Sequence, residues 1–309
     1  MRNLKDRLIA IVGPTAAGKS RLALRLARTF GGEIVSADSR QIYRHMDIGT
    51  AKPAPEELSL VPHHLIDIVG PDENFSLAQY QELAFQAIDD IWQRNKLVLL
   101  VGGSGQYVWS VAEGWRIPRV APDPELRRNL EEEAAEVGPD RLYQQLMEVD
   151  PEAGQRIDPR NTRRVIRALE VYRSTQTPVS QFQQKQPPPF KILIIGLSTE
   201  RPQLYDKINL RVDKMIGQGL VEEVKNLLKM GYDSNMPAMS GIGYRQIAMF
   251  LKGEMTLPAA IQQIKSETHR YVRQQYNWFQ LDDDRIHWFD IQKEPDSEIT
   301  KIVDKFTGG

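Results

Sequence analysis

The segment IAIVGPTAAGKS near the start of the chain carries the spacing G-x-x-x-x-G-K-S, formed by Gly13, Gly18, Lys19 and Ser20. An apolar run precedes it and an amphipathic stretch follows, so the spacing falls between a predicted strand and a predicted helix. Such a loop directs backbone N–H groups and the positive end of a helix at a polyanion. A plain connecting turn is the weaker alternative. We therefore predict a phosphate-binding loop in which Lys19 adds a positive charge and the Ser20 hydroxyl can hold Mg²⁺.

Apolar, β-branched runs alternate with helical patterns along most of the chain, which is typical of a doubly wound α/β sheet. Runs such as LVLLV are continuously apolar, as in parallel strands covered on both faces. The predicted fold is a P-loop NTPase-like parallel sheet with helices on both faces and a helical insertion domain. The predicted strands are residues 8–12, 34–37, 65–69, 97–101, 192–197 and 286–291. The predicted helices are residues 19–29, 76–94 and 259–280, with a long helix within residues 201–230.

One part of the chain interrupts this alternation. Between IPRVAPDP and KQPPPF the sequence is rich in charged residues and glutamine and contains no convincing strand. The prolines on both sides mark turns or extended connections. We therefore expect a helical insertion at residues 116–189, and an α/β core formed by residues 1–115 and 190–309.

Composition narrows the class of protein. With 309 residues, of which 41% are apolar, the chain can build one large core and a second module. The absence of cysteine excludes disulfides, thiolate catalysis and Cys-ligated zinc. We see neither a secretory signal nor an apolar run of transmembrane length, so we expect a soluble cytoplasmic protein without membrane association. A net charge of −1 argues against indiscriminate coating of nucleic acid.

The acidic residue best placed for chemistry is Asp38, which closes the predicted strand EIVSAD. An enzyme that splits a nucleoside triphosphate usually has an acid after a second buried strand. Here that strand, KLVLLVGGSG, ends in glycines and Ser104 instead. Because α/β sheets bind ligands at the carboxyl ends of their strands, Asp38 is a candidate catalytic or ligand-facing residue. The alternative is a helix N-cap.

Six segments occur in an order that resembles the tRNA dimethylallyltransferases of the IPP transferase family. They are GPTAAGKS, SADSRQIYRHMDIGTAKP, LVGGSGQY, RRVIRALEVY, LRVDKM and RYVRQQYNWF, and the resemblance extends over roughly residues 8–279. The resemblance implies that the loop holds the diphosphate of dimethylallyl diphosphate rather than ATP. It also implies transfer of the dimethylallyl group to N6 of the adenosine on the 3′ side of the anticodon. That chemistry would account for the missing second acid.

The resemblance implies roles for individual residues of the reaction centre. Asp38 would be the general base, Ser104 would lie where donor and adenine meet, and Arg211 would face the leaving diphosphate. Mg²⁺ is the implied cofactor, held by Ser20. The implied diphosphate-binding residues are Gly13, Thr15, Ala16, Ala17, Gly18, Lys19, Ser20 and Arg211.

The implied partner is tRNA, through its anticodon stem-loop. Arg160, Arg163, Arg164 and Arg167 follow the spacing of one helix face, which would suit a phosphate backbone, although an ordinary solvated face has the same pattern. Gln41 has the donor–acceptor pair that suits an adenine edge. The implied tRNA-binding residues are Asp38, Ser39, Arg40, Gln41, Ser104, Arg127, Arg163, Arg164 and Arg167.

Some positions depart from the family pattern. RIDPRN stands where RIHPND is expected, and His269, Gln274 and Asn277 replace residues that are commonly Arg, Arg and Thr. These departures concern RNA contacts more than the reaction centre. We see no obligate protein partner and expect a monomer. Three rival hypotheses remain: a P-loop kinase of small molecules or nucleotides, a prenyltransferase acting on free adenine nucleotides, and a noncatalytic RNA-binding protein.

Overall fold

The structure is a computed structural model that describes residues 4–182 and 185–308. Residues 1–3 and 309 of the predicted core, and residues 183–184 of the predicted insertion, lie outside the described residues. The chain divides into two compact units, one of Met1–Ala112 with Pro189–Gly309 and the other of Glu113–Pro188. Both borders lie within a few residues of those expected from the proline-rich segments.

A six-stranded sheet forms the centre of the first unit. Its strands lie in the order β3-β2-β4-β1-β5-β6, and every neighbouring pair is parallel. All residues of β2 and β4 are buried, as expected for interior strands of a parallel sheet that is covered on both faces. The predicted parallel α/β sheet is therefore confirmed. The strands are β1 (Arg7–Val12), β2 (Gly32–Ala37), β3 (His63–His64), β4 (Leu97–Gly102), β5 (Lys191–Ser198) and β6 (Ile286–Asp290).

Helices connect these strands and form the second unit. Within the part of the chain that the structure describes, no helix has the length and apolar character needed to cross a membrane. Helices α5 to α9 belong to the second unit and the others to the first. The helices are α1 (Lys19–Phe30), α2 (Pro55–Leu60), α3 (Leu77–Gln93), α4 (Gly105–Ala112), α5 (Pro124–Val137), α6 (Pro139–Val149), α7 (Pro151–Arg156), α8 (Thr162–Thr175), α9 (Val179–Phe182), α10 (Arg201–Gly217), α11 (Leu220–Lys229), α12 (Tyr244–Leu251), α13 (Leu257–Trp278) and α14 (Asp296–Thr307).

The strand predicted at residues 65–69 is wrong. The strand is β3, two residues long, and lies directly before that segment. Leu65 and Asp67 have φ values of 63° and 58°, which an extended strand cannot contain. The segment instead lies against the loop after β2 and is bound to it. The amides of Ile68 and Val69 donate to the Ile42 carbonyl at 2.8 and 3.1 Å.

The long helix predicted within residues 201–230 is two helices, α10 and α11. The break falls at Gly219, whose φ of 105° lies outside the helical region. A glycine adopts this conformation without the steric cost that a Cβ would impose. After this break, α11 packs against α12.

The second unit has its own hydrophobic core. Leu130 of α5, Leu142 and Leu146 of α6, and Val165 and Leu169 of α8 are buried against one another. Val165 and Leu169 therefore turn the side of α8 that they share toward this core. A core of this kind gives the unit a packed interior independent of the sheet.

The predicted arginine stripe does not form as one helix face. Helix α8 begins after the N-cap residue Asn161, so Arg160 lies outside the helix and pairs with Asp158. The Arg167 guanidinium is bound within the second unit, because it pairs with Glu170 and donates to the Val120 carbonyl at 3.0 Å. The face that remains is formed by Arg163 and Arg164.

Glu170 of α8 is a buried anion in the second unit. Its side chain is 0% exposed and accepts hydrogen bonds from Arg127 Nε at 2.8 Å, the Asp123 amide at 2.7 Å, and Arg167. Burial by itself would raise the pKa of Glu170, but these hydrogen bonds together hold it below its ordinary value. Arg127 and Arg167 thus stabilise a buried charge.

Candidate active site

The predicted phosphate-binding loop, residues 13–20, connects β1 to α1 at the carboxyl edge of the sheet. Its backbone has positive φ at Gly13 (132°), Ala16 (64°) and Gly18 (85°). Gly13 lies so close to β5 that a Cβ there would be 2.4 Å from the Leu197 carbonyl oxygen. The first glycine of the spacing is therefore required by the close approach of two backbones, and Gly18 is the N-cap of α1.

Lys19 folds back over this loop. Its Nζ donates to the carbonyls of Gly13 at 2.9 Å and Pro14 at 2.8 Å. Burial lowers the pKa of Lys19 to about 7, with Asp38 raising it and Arg211 lowering it by smaller amounts. The ammonium is thus poorly solvated, and a bound anion would favour its charged form.

A cleft of about 300 Å³ opens beside the loop. A larger and more open depression of about 520 Å³ lies over α1 and α14, away from the loop, so volume alone does not identify the site. The cleft beside the loop is lined by Thr15, Ala16, Gly18, Lys19, Ser20, Arg21, Ala23, Ile34, Ser36, Asp38, Gln41, Ala51, Pro53, His63, Val101, Gly102 and Arg211. The structure therefore brings together two cations, a hydroxyl, a carboxylate and an amide that the sequence had marked separately.

Asp38 is the first residue after β2 and lines the cleft. One of its oxygens, Oδ1, accepts a hydrogen bond from the Arg40 amide at 2.8 Å. The residues that follow form turns, so the alternative of a helix N-cap is wrong. Because a carboxylate has several acceptor positions, the turn leaves Asp38 able to accept from a ligand in the cleft.

Arg211 reaches the same cleft from α10. Burial lowers its pKa, and the Asp38 carboxylate acts in the opposite direction. A guanidinium remains charged under any ordinary condition, so its burial supplies a fixed positive charge beside Lys19. The pair of cations makes the cleft suitable for an anion with more than one charge.

Ser104 lies directly before α4, two residues after the end of β4, and against Ser39. Its Oγ accepts from the Ser39 amide at 3.0 Å and donates to Ser39 Oγ at 3.2 Å. Tyr271 of α13 also bonds to Ser104, and burial raises the pKa of Tyr271 to about 12. Three hydroxyl groups therefore meet next to Asp38.

Gln275 connects the phosphate-binding loop to this group. Its Oε1 accepts from the Thr15 amide at 2.9 Å, and its Nε2 donates to the Gly103 carbonyl at 3.0 Å. Sequence reasoning missed both Gln275 and Tyr271. Tyr271 and Gln275 are four residues apart and therefore lie on one face of α13. This spacing is the sequence signal that could have indicated them.

Gln41 and Arg40 have partners in their own loop and its neighbours. Gln41 Oε1 accepts from Ser36 Oγ at 3.1 Å, and Gln41 Nε2 donates to the Ala51 carbonyl at 3.2 Å. Arg40 donates to the Pro237 carbonyl at 3.0 Å. The side chain of Gln41 lines the cleft, whereas that of Arg40 fastens the loop to residues 237–238.

The remaining implied RNA contacts lie in the second unit. Arg163 and Arg164 are exposed on the first turn of α8, and among the described residues neither has an acidic partner. Arg127 and Arg167 bind Glu170, as described above. The basic surface of this unit available to a partner is therefore smaller than the sequence spacing indicated.

Comparison with known proteins gives consistent matches over most of the chain. The tRNA dimethylallyltransferase of Roseiflexus castenholzii is 56% identical over 272 residues, which cover 88% of this chain and 89% of the relative. The crystal structure of the full-length tRNA isopentenylpyrophosphate transferase from Bacillus halodurans is similar, with a TM-score of 0.72, 39% identity, and coverage of 98% of this chain and 97% of that one. A eukaryotic dimethylallyltransferase acting on tRNA matches with a TM-score of 0.82 and 25% identity, over 97% of this chain and 78% of that one.

The sequence model of the IPP transferase family matches residues 41–282, well over half of the chain. This match begins after the phosphate-binding loop, so it does not depend on the most widespread of the motifs. Together with the relatives, it confirms the resemblance inferred from the six segments and favours prenyl transfer over the kinase alternative. The chain therefore belongs to the IPP transferase family and is a transferase enzyme.

Proposed function

We propose that the chain transfers a dimethylallyl group from dimethylallyl diphosphate to N6 of the adenosine on the 3′ side of the anticodon in tRNA, releasing diphosphate. It would act in the cytoplasm as a monomer. The observation that carries this proposal is the cleft itself, whose wall contains Lys19 of the phosphate-binding loop, Arg211 and Asp38. Relatives named tRNA dimethylallyltransferase support the choice of donor and acceptor.

The acceptor chemistry requires a base. The N6 lone pair of adenine is delocalised into the ring, so the amine must lose a proton as it attacks the allylic carbon. A new N–C bond forms while the C–O bond to the diphosphate breaks, and the bonding electrons leave with the diphosphate. Asp38 is the carboxylate of the cleft and would take the proton from N6. Ser104, bonded to Ser39 in the loop after β2, would orient the reacting groups.

The donor chemistry requires positive charge where the diphosphate leaves. Lys19 and Arg211 supply it from two different elements, and the Lys19 ammonium is already held by the Gly13 and Pro14 carbonyls. The amides of the phosphate-binding loop add dipoles in the same direction. Preorganised charge of this kind stabilises the leaving group more in the transition state than in the ground state.

Mg²⁺ fits this cleft as a partner of the diphosphate. Among the described residues, no group of three or more His, Cys, Asp or Glu side chains could hold a metal by itself. Mg²⁺ commonly keeps several waters and binds through substrate phosphates with few protein ligands. Ser20, in the first turn of α1 and in the cleft wall, would be that ligand. When bound, the ion would neutralise charge that develops on the leaving diphosphate.

Each unit contains candidate RNA-binding residues. In the second unit, Arg163 and Arg164 are the exposed cations suited to backbone phosphates. In the first unit, Gln41 lines the cleft where an adenine edge would be read, with Ser39 and Arg40 in the same loop. An adenosine in a loop can be unstacked from its neighbours and enter a buried site, which suits a cleft of this size.

The proposal as a whole is tested with the two candidate donors. Dimethylallyl diphosphate with Mg²⁺ should raise the melting temperature of the protein, because a ligand that binds only the native state stabilises it. The same donor should transfer its prenyl group to an anticodon stem-loop, detected by mass spectrometry of the nucleosides. ATP at equal concentration should stabilise less. Strong stabilisation and turnover of ATP, with no effect of the prenyl donor, would establish the kinase hypothesis instead.

The pKa of Lys19, about 7 in the free protein, predicts a pH dependence of donor binding. The bound diphosphate favours the ammonium form and so raises this pKa. Above pH 7 donor binding should therefore take up a proton, and affinity should fall as the pH rises. Proton uptake is measured at about pH 8, above the pKa of the free group, by titration calorimetry in buffers with different ionisation enthalpies. Lys19→Met should lose the uptake assigned to this group. Equal uptake by both proteins would show that another group titrates.

Asp38→Asn should separate the roles of this residue. The amide is nearly isosteric and can still accept from the Arg40 amide, so the turn is retained. It cannot accept a proton, so single-turnover transfer should slow by about 10²–10⁴-fold, the usual contribution of a positioned base. Donor affinity should stay close to that of the unmodified protein. Weaker Mg²⁺-dependent donor binding would point to a metal ligand, and full activity would point to a role in the turn alone.

Two kinds of arginine in α8 should behave differently. Arg163→Ala or Arg164→Ala should weaken stem-loop binding and reduce the slope of log K against log salt by roughly one unit for each phosphate that is no longer neutralised. Arg167→Ala should instead lower the free energy of unfolding of the second unit by about 1–3 kcal/mol, because buried Glu170 loses a hydrogen-bond donor. Arg141→Ala, at an exposed position of α6, is the control for both measurements. An unchanged salt slope for both Arg163→Ala and Arg164→Ala would assign these residues to a solvated face.

A further inference from the structure

Glu223 of α11 binds an entire turn of the loop that follows β2. Its Oε2 accepts from the amides of Asp47 at 3.0 Å and Ile48 at 2.7 Å. Its Oε1 accepts from the Gly49 amide at 3.1 Å and from the Tyr244 hydroxyl at 2.7 Å. Three consecutive backbone amides around one carboxylate form an anion-binding nest, here filled by a side chain of the same chain.

The arrangement around this carboxylate leaves little freedom. A Cβ at position 49 would be 2.5 Å from the ring of Tyr244, so the turn needs glycine at this point. Burial and the Glu223 carboxylate raise the pKa of Tyr244 far above its ordinary value, so its hydroxyl remains a donor. Charge-assisted hydrogen bonds of this kind are roughly twice as strong as neutral ones. The turn at residues 47–49 is therefore fixed by Glu223.

The fixed turn leads directly to the wall of the cleft. The next two residues, Thr50 and Ala51, present their carbonyls to Gln41 Nε2 at 3.4 and 3.2 Å. The other end of the Gln41 amide accepts from Ser36 of β2. Gln41 and Ala51 both line the cleft. The orientation of the Gln41 amide thus depends on where the turn places two carbonyl groups.

We propose that Glu223 is a positioning residue for the acceptor base, acting through the turn at residues 47–51 on the amide of Gln41. This inference rests on the proposed function, in which Gln41 reads the adenine edge. The hydrogen bonds of Glu223 go to residues 47–49 and to Tyr244, whereas Lys19 is held by the phosphate-binding loop and Arg211 by α10. Glu223 is therefore expected to affect binding of the adenine acceptor and not binding of the diphosphate donor.

The test is Glu223→Gln. The substituted amide keeps the shape of the side chain but turns an N–H₂ group toward at least one of the four donors, so part of the turn must detach. Affinity for an anticodon stem-loop should fall about tenfold, the size of one broken charged hydrogen bond. Affinity for dimethylallyl diphosphate with Mg²⁺ should stay close to that of the unmodified protein. Glu222→Gln is the matched control, since that neighbouring glutamate is exposed and pairs with Lys225 on the surface of α11.

A double-mutant cycle with Gln41→Ala tells positioning from a merely structural role. If Glu223 acts through Gln41, Glu223→Gln should weaken stem-loop binding little further in a Gln41→Ala background. Faster amide exchange at residues 47–49 of Glu223→Gln, measured below the melting temperature, would show that the turn has loosened while the fold persists.

The outcomes that contradict the inference differ from those that contradict the proposed function. A loosened turn with unchanged stem-loop affinity would overturn the inference alone, as would additive effects in the cycle or an equal loss of donor affinity. A wild-type protein that neither binds the stem-loop nor transfers a prenyl group to it would overturn the proposed function, and the inference with it.

Discussion

Parallel pairing of β1, β2 and β4 is the constraint on which the site depends. In a parallel sheet the carboxyl ends of the strands lie at one edge, so the loops after β1, β2 and β4 meet there. These loops carry or lead into Lys19, Asp38 and Ser104. The Ser104 amide also donates to the Ala37 carbonyl at 3.3 Å, which joins the ends of β4 and β2 directly. Residues 19, 38 and 104 thus become neighbours because of strand order.

In the proposed function the cleft has a donor side and an acceptor side, which different parts of the chain support. The donor side is the phosphate-binding loop with Arg211 from α10. The acceptor side is the loop after β2, held by Glu223 of α11 and by residues 237–238 through Arg40. Gln275 of α13 joins the phosphate-binding loop to the end of β4 through the Thr15 amide and the Gly103 carbonyl. Residues on the helices that follow β5 therefore contribute to both sides of the cleft and help to fix their positions.

Much of this could be predicted, and the failures have physical causes. Continuous apolar runs marked β1, β4 and β5, because buried parallel strands need apolar side chains on both faces. The strand expected at residues 65–69 failed because backbone conformation at Leu65 and Asp67 overrides side-chain propensity. The arginine stripe failed because helical spacing does not state where a helix starts, and Asn161 caps α8 after Arg160. Nor could spacing reveal that Glu170 would be buried beneath Arg127 and Arg167.

The sequence by itself determined the phosphate-binding loop, the parallel α/β class, the helical second unit and the family, since each is encoded in local spacing or in ordered motifs. Only the tertiary structure decided that Arg127 and Arg167 bind Glu170, that Gln275 bridges Thr15 to Gly103, and that Glu223 holds residues 47–49. These contacts join residues as far as 260 positions apart. Local patterns report the conformation of a segment, whereas the partner of a polar side chain is set by which segments the fold brings together.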